Sequence, residues 1–190
     1  MVKEPRPGRV KTRLGREIGM VPAAWWFRHQ TARLLRRLQD PRWQVILAVS
    51  PDREGLASRV WPASLPRVAQ GQGDLGDRMG RILRSAPPGP RLIIGADIPG
   101  VGPSEIAEAL KLLGRNDAVF GPAEDGGYWS VGWAGRRPPP PSLFQNVRWS
   151  RPEALSDSVA SLGSCRTGFA ATLGDVDTAA DLTRLRQRFH

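Results

Sequence analysis

Residues 91–99 read RLIIGADIP, and the fold is decided by how this stretch is read. The apolar run from Leu92 to Ile94, bounded by small or polar residues, has the pattern of a strand buried on both faces. A strand is predicted over Arg91–Ala96. It runs directly into Asp97, and Pro99, which has no amide proton to give, ends further pairing. A carboxylate is therefore expected at the carboxyl end of a buried strand, the edge where open α/β sheets bind their ligands.

Working outward, Trp43–Ser50 (WQVILAVS) is a second apolar run, stopped by Pro51. Ala118–Gly121, Tyr128–Trp133 and Arg67–Gln70 are shorter strand candidates. Helical spacing appears between them. Pro22 suits a first turn, followed by Ala23, Trp26, Phe27, Leu34 and Leu38. Leu75, Met79, Ile82 and Leu83 mark a second helix, and Ile106, Ala109, Leu110 and Leu113 a third. Pro152–Leu162 is a fourth. Thr178-Ala-Ala-Asp181 is a capping pattern opening a last helix with Leu182, Leu185 and Phe189. This alternation predicts an α/β fold with a mostly parallel sheet. One domain over residues 1–190 is expected, with 134–142, including prolines 138–141, as a stiff surface loop. Met1-Val2-Lys3 reads as the tail of a strand, so either the strand starts upstream or the sheet tolerates a stub.

Composition narrows the function. The chain has 190 residues, 40% of them hydrophobic and 24% charged, as expected of a globular protein with a core. No apolar run reaches the roughly 18–20 residues that span a bilayer. The start of the chain lacks a secretory apolar segment, so a cytoplasmic location is expected. Cys165 is the only cysteine and His29 and His190 the only histidines, which excludes a Cys- or His-rich metal centre. Any metal must be held by oxygen. The net charge is +10, but arginines supply most of it and are scattered from Arg6 to Arg188. Without an aromatic-interleaved basic ribbon, nucleic acid is not the expected partner.

Five segments could carry chemistry. Lys3–Leu14 places a glycine-containing turn before Lys11, Thr12 and Arg13, which is either a phosphate cradle or a basic surface loop. It is not a Walker A loop, because Val10 stands where glycine is required. Asp97 can hold a hard divalent cation that neutralises a diphosphate. Glu124-Asp125-Gly126-Gly127 is a tight acidic turn, either a plain hairpin or a close approach to a ligand. Gln70-Gly-Gln-Gly-Asp74 precedes an amphipathic helix and could be no more than a loop and its N-cap. Asp175-Val-Asp177 sets two carboxylates on alternate residues before the last helix, where one could be the cap.

Taken in order, KEPRPGRVKTRL, QGQGDLGDRM, GADIPG, GPAEDGGYWSVG, FQNVRWS and DVDTAADL resemble a bacterial family of nucleotide-diphospho-sugar transferases. The resemblance runs from Lys3 to about Leu182. It implies a three-layer αβα fold with a mostly parallel mixed sheet, like that of GT-A glycosyltransferases and more distantly similar to sugar nucleotidylyltransferases and phospholactate guanylyltransferases. It also implies that Lys11 and Arg13, with Lys3 nearby, contact donor phosphates, and that Gln70, Gly71 and Asp74 lie where relatives contact the nucleoside. Asp97 and Asp177 would bind the metal, Mg²⁺ or Mn²⁺. Asp125, Gly126, Gly127 and Tyr128 would line the acceptor pocket, with Asp125 as general base or positioning group. Three departures stand out. Pro99 occupies the third position of the usual Asp-x-Asp. Arg151 follows Trp149-Ser150 where the family usually has threonine. The long glycine-rich loop of nucleotidylyltransferases is replaced by PRPGRVKTR.

The expected function is therefore metal-dependent glycosyl transfer from a nucleotide-diphosphate sugar to a small acceptor. Nucleotidyl transfer with pyrophosphate release is the alternative, and a non-catalytic nucleotide- or RNA-binding protein a third. A homo-oligomer is compatible with Trp25, Trp26 and Trp61 as core or interface residues. Asp97 and Asp177 each follow a strand candidate and precede a helix, so a parallel sheet would bring them to one edge. Two bare carboxylates that close repel unless a cation lies between them.

Overall fold

The computed structural model describes residues 1–188. In chain order the elements are β1 (Val2–Lys3), α1 (Thr12–Ile18), α2 (Met20–Arg37), β2 (Leu47–Ser50), α3 (Asp52–Ala57), β3 (Arg67–Ala69) and α4 (Leu75–Ser85). There follow β4 (Arg91–Ile94), α5 (Pro103–Leu112), β5 (Ala118–Pro122), β6 (Tyr128–Trp133), α6 (Ala154–Ala160), β7 (Thr167–Phe169) and α7 (Ala179–Arg188). The α/β class is as expected. Phe189, expected on the last helix, lies outside the described residues. No described helix is long and apolar enough to cross a membrane. The chain divides into two compact units. The first holds Met1–Ala69, Ala96–Pro103 and the chain from Asp175; the second holds Gln70–Gly95 and Ser104–Gly174.

The first unit is built on the parallel sheet β1-β2-β3, in which Val2 pairs with Val49 and Leu47 with Arg67. Its core joins Val2, Val10, Leu47 and Val49 to Phe27 and Leu35 of α2, with Trp61 and Ala96. Trp61 is thus a core residue, Trp26 packs partly against the same cluster, and Trp25 is 64% exposed. The expected strand over Trp43–Ser50 is only its last four residues. The reason lies upstream: Arg42 donates to both carboxylate oxygens of Asp40, and the Trp43 indole donates to the Leu38 carbonyl at 2.9 Å. These bonds hold residues 40–43 in a turn. Helix α3 was not expected; Pro51 ends the strand but also serves as N-cap, and Asp52 and Glu54 favour the positive end of the helix dipole. The loop after α3 is gathered by Arg67, whose guanidinium donates to the carbonyls of Leu56, Ser58 and Trp61.

The second unit carries the sheet β4-β6-β5-β7. The expected mostly parallel, mixed pairing is present across the two sheets, and its antiparallel part lies here: β6 runs antiparallel to both β4 and β5, while β7 joins β5 in parallel. The reason is the short turn from β5 to β6, which reverses the chain within six residues, too few for a parallel crossover of about a dozen or more. Trp129, Trp133, Phe120, Val119 and Val131 are fully buried. The Trp129 and Trp133 indoles donate to the carbonyls of Ala171 and Arg137 at 2.9 and 2.6 Å. Strand β7, three residues with one apolar side chain, was not legible as a strand. Residues 134–142 contain neither helix nor strand.

Arg67→Met would keep the apolar stem while leaving three carbonyls without their donor. We expect a loss of about 1–3 kcal/mol, read as a lower urea midpoint at unchanged slope.

Candidate functional site

Three segments of the first unit converge on one cluster of charges. The first is the start of α1. Lys11 takes the left-handed conformation at the N-cap (φ 44, ψ 47), and its neighbours Val10 and Leu14 are buried. With the backbone fixed by these two, the Lys11 side chain turns inward and is only 6% exposed. The second segment is 96–103. Ala96, Ile98 and Val101 are buried, and the Pro99 carbonyl accepts from Arg37 at 2.7 Å, so Asp97 is carried on a fixed loop. The third is the approach to α7. Asp181 accepts from the amides of Asp177 and Thr178 and from the Thr178 hydroxyl, while the Ala179 amide donates to Glu17 of α1 at 2.9 Å. The capping pattern read at Thr178–Asp181 is present, and it sets the position of Asp177.

The Lys11 ammonium lies 2.5 Å from Asp97 Oδ2 and 2.7 Å from Asp177 Oδ1. Arg13 Nη1 lies 2.9 Å from the other Asp177 oxygen, and its side chain is 67% exposed. Asp175 joins the group: one carboxylate oxygen from each of Asp97, Asp175 and Asp177 lies within 4.8 Å of the others. Burial opposes charge on Lys11, but the fields of Asp97 and Asp177 and their hydrogen bonds outweigh it, and the lysine pKa is raised. Lys11 therefore stays charged throughout the physiological range. Burial likewise opposes ionisation of Asp181, but Thr178, Arg184 and the two amides hold its pKa at about 2.

Asp97 and Asp177 are brought together, but not by the route the sequence suggested. Among the described residues β4 pairs only with antiparallel β6, and Asp97 stands three residues past its end. Asp177 follows an irregular stretch rather than a strand. Side-chain bonds at the helix cap do the placing. Asp175 is visible in the sequence as half of an Asp-Val-Asp pattern, but the family resemblance gives a metal role to Asp177 alone. Lys3 is exposed at the end of β1.

In the second unit, Gln70 is buried and its carbonyl accepts from Arg81, which also holds the Gln72 carbonyl at 2.8 Å. Asp74 caps α4. Its Oδ1 accepts from the Asp77 amide at 2.9 Å, Asp77 returns the bond to the Asp74 amide, and the Trp149 indole donates to Asp74 Oδ2 at 3.1 Å. The loop-plus-cap reading thus accounts for both oxygens of Asp74. The Asp125 turn is a tight one. Asp125 Oδ1 accepts from the Gly127 amide at 2.9 Å, and Gly126 sits at φ +84, where a Cβ would meet the Pro152 carbonyl oxygen at 2.2 Å. Asp125 itself is exposed. The Tyr128 hydroxyl meets Ser158 at 3.2 Å and its ring packs edge-on to Phe120; burial pushes its pKa well up.

The segment FQNVRWS has an irregular backbone that no pattern among its residues announces. Phe144, Asn146 and Ser150 all have positive φ. The segment is pinned to α6 by Asp157, which accepts from the Arg148 amide and guanidinium at 2.8–3.0 Å. With the start of α4 it borders a cavity of about 310 Å³ lined by Asp74, Asp77, Arg84, Gln145 and Asn146 among others.

The Arg148 hydrogen bonds hold the Asp157 pKa at about 2, below the roughly 3.9 of an unfolded chain. A depressed acid contributes stability above the unfolded value and loses it as pH falls through the folded one. Asp157→Asn should therefore lower the melting temperature at pH 6, with the gap to wild type closing between about pH 4 and pH 2.

Residues 33–151 match the family described as "Uncharacterized protein conserved in bacteria (DUF2064)". A solved structure from Desulfovibrio desulfuricans G20, named "putative nucleotide-diphospho-sugar transferase", is 30% identical with a TM-score of 0.84, over 97% of this chain and 83% of that one. A second, from Mycobacterium sp. strain JC1 and named as a homolog of Mycobacterium tuberculosis rv0371c, is 17% identical with a TM-score of 0.54, over 85% of this chain and 82% of that one. At that identity it speaks to the fold alone. Among curated proteins, none matches the chain. By the length of the match and the likeness to the Desulfovibrio protein, the chain belongs to the DUF2064 family.

Proposed function

We propose that this protein is a metal-dependent transferase that moves a glycosyl group from a nucleotide-diphosphate sugar to a small acceptor. The observation that carries the reading is the cluster of Asp97, Asp175 and Asp177, with oxygens within 4.8 Å of one another and a buried ammonium against two of them. The likeness to the Desulfovibrio protein supports a transferase of the nucleotide-diphospho-sugar kind. An all-oxygen donor set without His or Cys suits Mg²⁺ or Mn²⁺ rather than zinc. The buried Lys11 charge supports the fit, since these carboxylates are already arranged around a cation.

Bound at these carboxylates, the metal would supply charge neutralisation for the leaving nucleotide diphosphate. The chain's own residues do the rest. Asp97, Asp175 and Asp177 would hold the cation between them. Lys11 and Arg13, with Lys3, attract and orient the diphosphate. Gln70 and Gly71 belong to the nucleoside side, with Asp74 shaping that loop through its cap. The exposed carboxylate of Asp125 positions the acceptor hydroxyl or takes its proton, while Gly126 and Gly127 allow close approach and Tyr128 braces the turn through Ser158. The transfer breaks the bond between the sugar and the diphosphate and forms one from the acceptor oxygen to the same sugar carbon; the acceptor proton passes to the base and the nucleoside diphosphate leaves.

One feature favours nucleotidyl transfer as a second reading. The residue two after Asp97 is Pro99, so its partner carboxylates come from the distant Asp175–Asp177 stretch instead of an Asp-x-Asp at that site. The products separate the two. A nucleoside diphosphate marks glycosyl transfer, and pyrophosphate marks nucleotidyl transfer.

The test is a thermal-shift panel of nucleoside diphosphates and sugar nucleotides with and without Mn²⁺, followed by product analysis for the donor that binds. A ligand at 100 times its Kd adds about 2.7 kcal/mol of stability, so even a weak donor registers. Asp97→Asn should abolish the Mn²⁺-dependent part of the shift and lower turnover by about 10²–10³. Activity indifferent to chelator would overturn the reading. Asp125→Asn should suppress transfer while leaving donor affinity nearly unchanged; full activity would return that turn to a plain hairpin.

A further inference from the structure

We propose that the Lys11 ammonium is a built-in occupant of the cation site, which a divalent metal must displace and which is thereby released toward the anionic donor. This rests on the metal-site reading above.

Arg13 touches Asp177 from solvent, with 67% of its side chain exposed, whereas Lys11 is 6% exposed and bridges Asp97 and Asp177. Taking an ammonium out of water is costly and is sustained only by close opposite charge. Two carboxylates at 2.5 and 2.7 Å provide that charge. In return Lys11 relieves their mutual repulsion and that of Asp175, whose nearest oxygen lies within 4.8 Å of theirs.

A small divalent cation such as Mg²⁺ binds its ligand oxygens at about 2.0–2.1 Å. It competes with an ammonium already in contact with the same two carboxylates, because two positive centres held that close repel strongly. Occupancy by Lys11 and by metal is therefore competitive. Lysine suits the task better than arginine. Its compact charge rides on a flexible four-carbon stem that can redirect without moving the backbone. The left-handed backbone at Lys11 and the buried anchors Val10 and Leu14 fix where the stem starts, so the swing belongs to the side chain.

Two consequences follow. Without metal, Lys11 keeps the carboxylate cluster from repelling itself apart. With metal, the displaced ammonium is left beside the site, without its partners, until a diphosphate accepts it. Metal and diphosphate are then favoured together, and by linkage each strengthens the other.

The test is direct Mn²⁺ titration of the full chain by calorimetry, without nucleotide, for wild type, Lys11→Met and Lys11→Arg. The proposal expects Lys11→Met to bind Mn²⁺ about tenfold more tightly or better, within the usual range of coupling between competing ligands. Lys11→Arg, which keeps the charge, should stay near wild type. Thermal melts give an independent readout: Lys11→Met melts lower than wild type without metal and gains more from added Mn²⁺. If Lys11→Met does not fold without metal, Lys11→Gln, which retains a hydrogen-bond donor, takes its place. Equal or weaker Mn²⁺ binding in the uncharged variant overturns the exchange and leaves the metal site standing. No Mn²⁺ binding by any of the proteins overturns the metal site, and the exchange with it.

Discussion

A buried lysine between two aspartates is the constraint on which the rest of the first unit depends. Lys11, Asp97 and Asp177 come from three stretches far apart in sequence, and bringing their charges within 2.5–2.7 Å requires each stretch to be rigid on its own. The anchors are unglamorous. Val10 and Leu14 are buried on either side of Lys11, Ala96 and Ile98 on either side of Asp97, and Asp181 gathers the amides beside Asp177. A buried ion pair contributes little net stability, because desolvation offsets most of the attraction. Breaking one side of it is expensive. The cluster therefore makes more sense as a preorganised charge site than as a structural brace.

The sequence revealed the elements whose pattern is long. Helices α2, α4 and α5 are amphipathic over ten or more residues, and β6 spans the predicted Tyr128–Trp133. It was silent or misleading where the deciding interactions are not periodic. The run from Trp43 looked like strand because tryptophan and valine favour strands, yet Asp40, Arg42 and the Leu38 carbonyl hold its first residues in a turn. Helix α3 and strand β7 are too short to show a period, and β7 exists because β5 offers it an edge. The antiparallel placement of β6 was readable in principle, since the Asp125-Gly126-Gly127 turn is too short for a crossover.

The candidate site divides in the same way. An aspartate after an apolar run points to Asp97, whereas the Asp175-Val-Asp177 pattern leaves either carboxylate open as the cap and only the family resemblance singles out Asp177. Asp175 was visible only as spacing. That Lys11 stands between the aspartates was not visible, because a lysine in a basic, glycine-containing loop reads as a solvated charge. Only packing distinguishes it from Arg13, two residues away. At Asp74 the local signal was right for a local reason: an acidic residue before an amphipathic helix is its cap, here completed by Asp77 and the Trp149 indole.

The central claim is that Asp97, Asp175 and Asp177 form a divalent-cation site from which Lys11 withdraws. Anomalous diffraction from crystals soaked in Mn²⁺ tests it most directly. The account predicts a manganese peak bonded to carboxylate oxygens of this cluster, with the Lys11 ammonium no longer in contact with both Asp97 and Asp177. Lys11 still bridging the two aspartates, with no manganese among them at saturating concentration, would contradict it.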